Sequence, residues 1–85
     1  MTATLIVYST SACTLCERAL ALLRSMPELE RWTVVEVDVA DEPRLLARYG
    51  ARIPVVASSE SNAEIGWPFN ADDVLEFVRG ITARS

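Results

Sequence analysis

Ala3-Thr4-Leu5-Ile6-Val7-Tyr8-Ser9-Thr10-Ser11-Ala12-Cys13-Thr14-Leu15-Cys16-Glu17-Arg18-Ala19 is the stretch on which the reading of this chain turns. The run Ala3 to Tyr8 is short, apolar and rich in β-branched side chains, and the polar turn Ser9-Thr10-Ser11 bounds it. Such a run reads as a buried strand. A helical pattern then begins near Thr14, where Leu15, Ala19, Leu22, Leu23 and Met26 recur at three- and four-residue steps. Pro27 ends it close to Ser25 or Met26, because a proline excludes the residue before it from the helical region. Cys13 and Cys16 therefore sit where a strand hands over to a helix.

That placement has a chemical meaning. Unpaired N–H groups and the helix dipole at a helix N-terminus favour a thiolate over a thiol. In Cys-x-x-Cys motifs the attacking cysteine's pKa falls to roughly 3.5–7.5 from about 8.5. The three-residue step brings the second sulfur within bonding reach. One thiolate attacks a disulfide and the other resolves the mixed disulfide. Cys13 is the candidate nucleophile. Cys16, one turn further in, is the candidate resolving thiol and the more buried of the two. Two other readings stay open. Cysteine often serves as a small core residue, and one Cys-x-x-Cys is half of a zinc site. Zinc needs about four ligands, and the chain has no third cysteine and no histidine. Carboxylates or a second chain would have to complete it.

Further along, Trp32 to Val39 has four valines in its last six residues and reads as a second strand. Asp41-Glu42-Pro43 supplies a helix start, with Asp41 as the expected N-cap and Pro43 in the first turn. Leu45, Leu46 and Tyr49 form its apolar face, and Gly50 ends it. Ile53-Pro54-Val55-Val56-Ala57 is a third strand entered through a proline, which by itself is the behaviour of an edge strand. After the turn cluster Ser58 to Asn62, Ala63 to Trp67 forms a fourth, edge-like strand, antiparallel to the third. Asn70 or Ala71 opens the last helix, with capping-box spacing from Asn70 to Asp73. Val74, Phe77, Val78 and Ile81 give its buried stripe. The order is β-α-β-α-β-β-α. The helical crossover between the first two strands requires them to run parallel.

Composition sets the bounds. Eighty-five residues, 51% of them apolar, make one domain spanning 1–85 with a core of its own. Charged residues at 24% describe an ordinary solvated surface. A net charge of −4 offers no basic face, so neither nucleic acid nor an anionic membrane is an expected partner. Arg44, Arg48 and Arg52 form a local basic run, which reads either as an anion patch or as a solvated helix face. No apolar run approaches the ~20 residues of a membrane span. Met1-Thr2-Ala3-Thr4 has no basic leader segment, so a cytoplasmic location is expected. Reducing conditions there argue against a structural staple. The absence of histidine removes the commonest general base.

Tyr8-Ser9-x-x-x-Cys13-Thr14-Leu15-Cys16-Glu17-Arg18-Ala19-x-x-Leu22-Leu23, followed by Ile53-Pro54-Val55, resembles the glutaredoxins of the thioredoxin superfamily. The specific motifs lie in residues 5–26 and 53–55, and the element order is similar over nearly the whole chain. The resemblance implies an α/β thioredoxin-like fold, with a four-stranded mixed sheet flanked by three helices. It implies a cis Pro54 beside the cysteines and an Ile53 backbone that pairs with a bound peptide or glutathione. The chain departs from that family in several places. Thr14-Leu15 stands where Pro-Tyr is usual, and Thr10 where a lysine is usual. Arg52-Ile53-Pro54 replaces Thr-Val-Pro, and Gly66-Trp67-Pro68-Phe69 replaces a glycine pair before Asp72-Asp73. Val7 stands where thioredoxins place a buried aspartate. Arg52 is a candidate partner for a substrate carboxylate. Trp67 and Phe69 read either as an apolar lip for substrate or as a cap on the core.

The resemblance thus implies a small thiol–disulfide oxidoreductase, with Cys13 and Cys16 catalytic and Thr14, Leu15, Arg52, Ile53, Pro54 and Trp67 binding substrate. Protein disulfides or glutathione mixed disulfides are the expected substrates. No cofactor is required, glutathione is the candidate reductant, and a monomer is expected. The alternatives are a thioredoxin-fold protein that binds a metal or iron–sulfur cluster through Cys13, and a redox-inactive interaction module.

Overall fold

The computed structural model describes residues 3–83; Met1 and Thr2, on which the leader reading partly rested, lie outside them. The chain runs β1 (Ala3–Ser9), α1 (Thr14–Ser25), a 3-10 turn (Pro27–Leu29), β2 (Trp32–Asp38) and a second 3-10 turn (Val39–Asp41). It continues through α2 (Pro43–Tyr49), β3 (Val55–Ser58), β4 (Glu64–Gly66) and α3 (Ala71–Ala83). The four strands lie in the order β2-β1-β3-β4. β1 pairs parallel with β2 and antiparallel with β3, and β4 returns antiparallel along β3. The expected mixed sheet with three helices is the observed one.

Alternation along β1 divides the interior between the two faces of the sheet. Leu5 and Val7 point to one face, where they meet Ala19, Leu20 and Leu23 of α1, Phe69, and Val74, Val78 and Ile81 of α3. Tyr8 points to the other face and packs with Val39, Leu45, Tyr49, Ile53 and Val55 under α2. Burying a single leucine or valine of this kind stabilises the fold by about 1.5–3 kcal/mol.

The helix ends show the local chemistry. Asn70 and Asp73 cap α3 reciprocally: the Asn70 N–H donates to Asp73 Oδ2 and the Asp73 N–H donates to Asn70 Oδ1, each at 2.9 Å. The start of α2 corrects the sequence expectation. Glu42, not Asp41, is the N-cap, and its carboxylate accepts from the Arg44 N–H at 3.2 Å. Asp41 is taken up by the 3-10 turn that Asp38 caps through the Ala40 N–H. That turn also ends β2 at Asp38, one residue before the expected Val39. Leu46 is exposed rather than buried, because α2 lies on the sheet through Leu45 and Tyr49, one turn apart, and Leu46 falls to the side of that line. β3 begins two residues after Ile53, at Val55, and keeps Ser58, while β4 shrinks to Glu64–Gly66. The Pro27–Leu29 turn was not expected; it tucks Leu29 into the core.

Candidate active site at the Cys13–Cys16 pair

Cys13 is the N-cap of α1, in extended backbone conformation, and its sulfur accepts from the Cys16 N–H at 3.1 Å. The sulfur therefore occupies the position that a serine or aspartate oxygen takes at other helix starts. Negative charge on it is stabilised by that N–H and by the helix dipole. Cys13 and Cys16 are joined as a disulfide with Cα atoms 5.2 Å apart. Their exposure is unequal. Cys13 is partly exposed, whereas Cys16 is 2% exposed under the first turn of α1. Ala12, just before the pair, has φ 56°, so the chain turns through the left-handed region as it enters the helix.

The strand register decides what lies around the pair. Tyr8 is opposite Val55 and Val55 is opposite Gly66, so β1 ends where β3 begins and β4 ends. The loop carrying Cys13 comes directly after β1, Pro54 precedes β3 and Trp67 comes directly after β4. All three emerge at one end of the sheet. The Trp67 N–H donates to the Pro54 carbonyl at 3.1 Å, which ties the last two together. The Ile53–Pro54 peptide is cis, as the resemblance implied, and the Trp67–Pro68 peptide is also cis. Thr14 and Leu15 are exposed on α1, and Ile53 is partly buried beneath α2.

Arg52 is placed differently. Its guanidinium pairs with Glu64 at 3.4 Å, joined there by Arg48 at 3.5 Å. Glu64 lies two residues back along β4 from the dithiol end, so Arg52 is already engaged by the chain's own carboxylate. Trp67 is partly buried, meets Phe69 edge-on with ring centroids 5.1 Å apart, and packs against the main core. Phe69 itself is buried in that core.

Two features escaped the sequence reading. Ser9, 1% exposed, donates its hydroxyl to Glu36 Oε2 at 2.7 Å across β1 and β2. Ser9 sits on the same alternating face as Leu5 and Val7, which was the available signal. A cleft of about 450 Å³ between β4 and α3 is lined by Glu64, Asp73, Glu76, Phe69 and Phe77. Among the described residues, no group of three or more cysteines and carboxylates is placed to hold a metal ion. Nor is any helix among them long and apolar enough to cross a membrane.

The family model described as Glutaredoxin-like domain (DUF836) matches residues 4–79. The chain belongs to that glutaredoxin-like family. Solved structures agree on the fold. The X-ray structure of target protein XcR50 from X. campestris is 26% identical, with a TM-score of 0.77 over 89% of this chain and 96% of that one. The solution structure of protein Ne2328 from Nitrosomonas europaea is 22% identical, with a TM-score of 0.75 over 88% of this chain and 89% of that one. Thioredoxin 1 from Thermosipho africanus is 13% identical, with a TM-score of 0.68 over 94% of both chains. No protein of curated function matches.

On the α2 face of this glutaredoxin-like domain, Tyr8 and Tyr49 stack with ring centroids 4.2 Å apart. The guanidinium groups of Arg48 and Arg52 flank the Tyr49 ring at 5.3 and 5.7 Å, and its hydroxyl donates to Glu64. Burial, then the hydrogen bond to Glu64 and that carboxylate's charge, push the Tyr49 phenol from 10.0 up to about 12, with Arg48 opposing. Below pH ~10 folded and unfolded chains both keep this proton and the contribution is intact. Between about 10 and 12 the unfolded chain has released it and the folded one has not, so stability falls as pH rises. The chain has no lysine to titrate in that window. Urea midpoints of the oxidised protein are expected to fall across this interval, and Tyr49→Phe is expected to flatten the fall. An unchanged slope in the variant would assign the loss elsewhere.

Proposed function

We propose that this glutaredoxin-like domain is a thiol–disulfide oxidoreductase, with Cys13 as nucleophile and Cys16 as resolving thiol. The observation that carries this reading is the unequal pair at the start of α1. One sulfur is partly exposed and is the N-terminal acceptor of the helix, and the other is buried and bonded to it. A Cys13 thiolate attacks one sulfur of a substrate disulfide; a mixed disulfide forms and the substrate's first thiolate leaves. Cys16 then loses its proton and attacks the Cys13 sulfur. The Cys13–Cys16 bond forms and the substrate's second thiolate leaves. The substrate gains two electrons and, at neutral pH, its two protons, while the domain becomes the disulfide. An external dithiol, or two equivalents of a monothiol such as glutathione, returns it to the reduced form.

Leu15, Ile53 and Trp67 supply the surface against which a substrate chain lies, since they share the end of the sheet from which Cys13 emerges; Pro54 is at that end too but fully buried, so it acts through the backbone it fixes and not through an exposed side chain. Thr14, exposed between the cysteines, borders the same surface. The test is a redox titration. The protein is equilibrated in graded thiol–disulfide buffers, quenched with acid and alkylated, and its thiols are counted by mass. A reversible two-electron transition between about −120 and −270 mV is expected, the span of known exchange proteins. Cysteines that never bridge, or bridge irreversibly, would defeat the proposal and turn attention to metal or partner binding.

A further inference from the structure

We propose that the dithiol end of the sheet selects cationic disulfide partners, and that carboxylates rather than a pocket make the selection; this rests on the exchange reading above. β1 and β2 are parallel and in register to their last residues, with Ser9 opposite Asp38. The segments that leave the two strands, Thr10 onward and Val39 onward, therefore start at the same end of the sheet. Glu36 and Asp38 border, with Ser9, Thr10 and Ser11, a cleft of about 310 Å³ beside the Cys13 loop. Asp41 and Glu42 come shortly after β2, both exposed. Glu17, exposed, stands in the first turn of α1, whose N-cap is Cys13.

The opposing charge at this end is smaller. All eight basic residues of the chain are arginines. Arg48 and Arg52 converge on Glu64, which cancels one of their two charges and draws both toward β4. Arg44 is the remaining cation on α2. On α1, Arg18 lies about 200° round the helix from buried Cys16 and so points away from the sheet. Five carboxylates thus stand at this end of the sheet against three positive charges, namely Arg18, Arg44 and the one left over from Arg48 and Arg52. A field of this sign raises the local concentration of cationic substrates and repels anionic ones. Glutathione, with two carboxylates and one ammonium, is on the disfavoured side.

The test uses the reduced protein and three otherwise identical peptides that each carry one intramolecular disulfide, flanked by arginine, by glutamate or by uncharged residues. Exchange is followed by acid quench and mass spectrometry at low and high salt. At about 10 mM salt, where charges act over ~30 Å, the arginine peptide is expected to react about tenfold or more faster than the glutamate peptide. The ratio should shrink toward one at about 1 M salt, where the reach is ~3 Å. Glu17→Gln combined with Asp41→Asn, two exposed positions, should lower the low-salt ratio several-fold; melting curves confirm that the variant is folded. Equal rates at low salt, a faster glutamate peptide, or a ratio indifferent to salt would overturn the proposal while leaving the exchange reading in place. Failure to react with any of the three peptides would instead overturn the exchange reading, and this inference with it.

Discussion

Replacing Cys16 with serine is expected to turn a transient mixed disulfide into one that can be isolated, whereas Cys13→Ser is expected to abolish exchange. The asymmetry comes from exposure. Only Cys13 reaches solvent, and Cys16 at 2% exposure can attack nothing except the sulfur beside it. Resolution by Cys16 is intramolecular, and well-oriented intramolecular attack carries effective molarities of roughly 10⁵ M and above. An external thiol at millimolar concentration cannot match that, so release from Cys16→Ser should slow by more than about a thousandfold. The measurement is intact mass under non-reducing conditions after mixing with a disulfide peptide. Cys16→Ser should gain one peptide strand through Cys13, and Cys13→Ser should gain none. Trapping by the Cys13→Ser variant instead would reverse the two roles.

The second large effect is on stability. Phe69→Ala is expected to cost about 3–5 kcal/mol, as for other buried aromatics. An 85-residue domain holds roughly 4–13 kcal/mol in all. The variant should therefore lose about a quarter or more of its stability, with its urea midpoint moved sharply downward. The size of the effect reflects the position of Phe69: 6% exposed, part of the core of Leu5, Leu23 and Val78, and edge-on to Trp67. Trp67→Ala, at a partly buried ring, should cost less and leave a cooperative transition against which substrate effects can be read. A Phe69→Ala loss below about 1 kcal/mol would mean that the two aromatics form a surface lip rather than a cap on the core.

The sequence carried the architecture because its periodicities are unambiguous. Leu5 and Val7 alternate, Ala19 and Leu23 recur at helical spacing, and Asn70 with Asp73 spells a capping box that closes as drawn. What it obscured was decided by small differences between neighbours. Asp41 and Glu42 are both acceptable caps, and the choice fell to Glu42 only because Asp38 could close a 3-10 turn one step earlier. Leu46 fits an apolar stripe, yet a seven-residue helix buries only Tyr49 fully. At the candidate site the two cysteines were legible from spacing, since a helix start fixes their relation. The fate of Arg52 was not. Arg52 lies in the turn before β3 and its partner Glu64 on β4, and a pairing across twelve residues leaves no local pattern.

The place of β1 in the sheet has a bearing on how the chain is made. β1 is made before β2 and β3, the two strands that must flank it. Val55, the partner of Tyr8, lies about fifty residues later, and α3, which covers Leu5 and Val7, is made only after β4. At 5–20 residues per second, roughly two to nine seconds pass between synthesis of Tyr8 and synthesis of Val55. During that interval Leu5 and Val7 await the α3 that completes their face, and shelter for β1 comes from α1, then β2, then α2. The nascent chain is thus most prone to misassociation before β3 is made, and a chaperone that grips short apolar strands would find its target in β1.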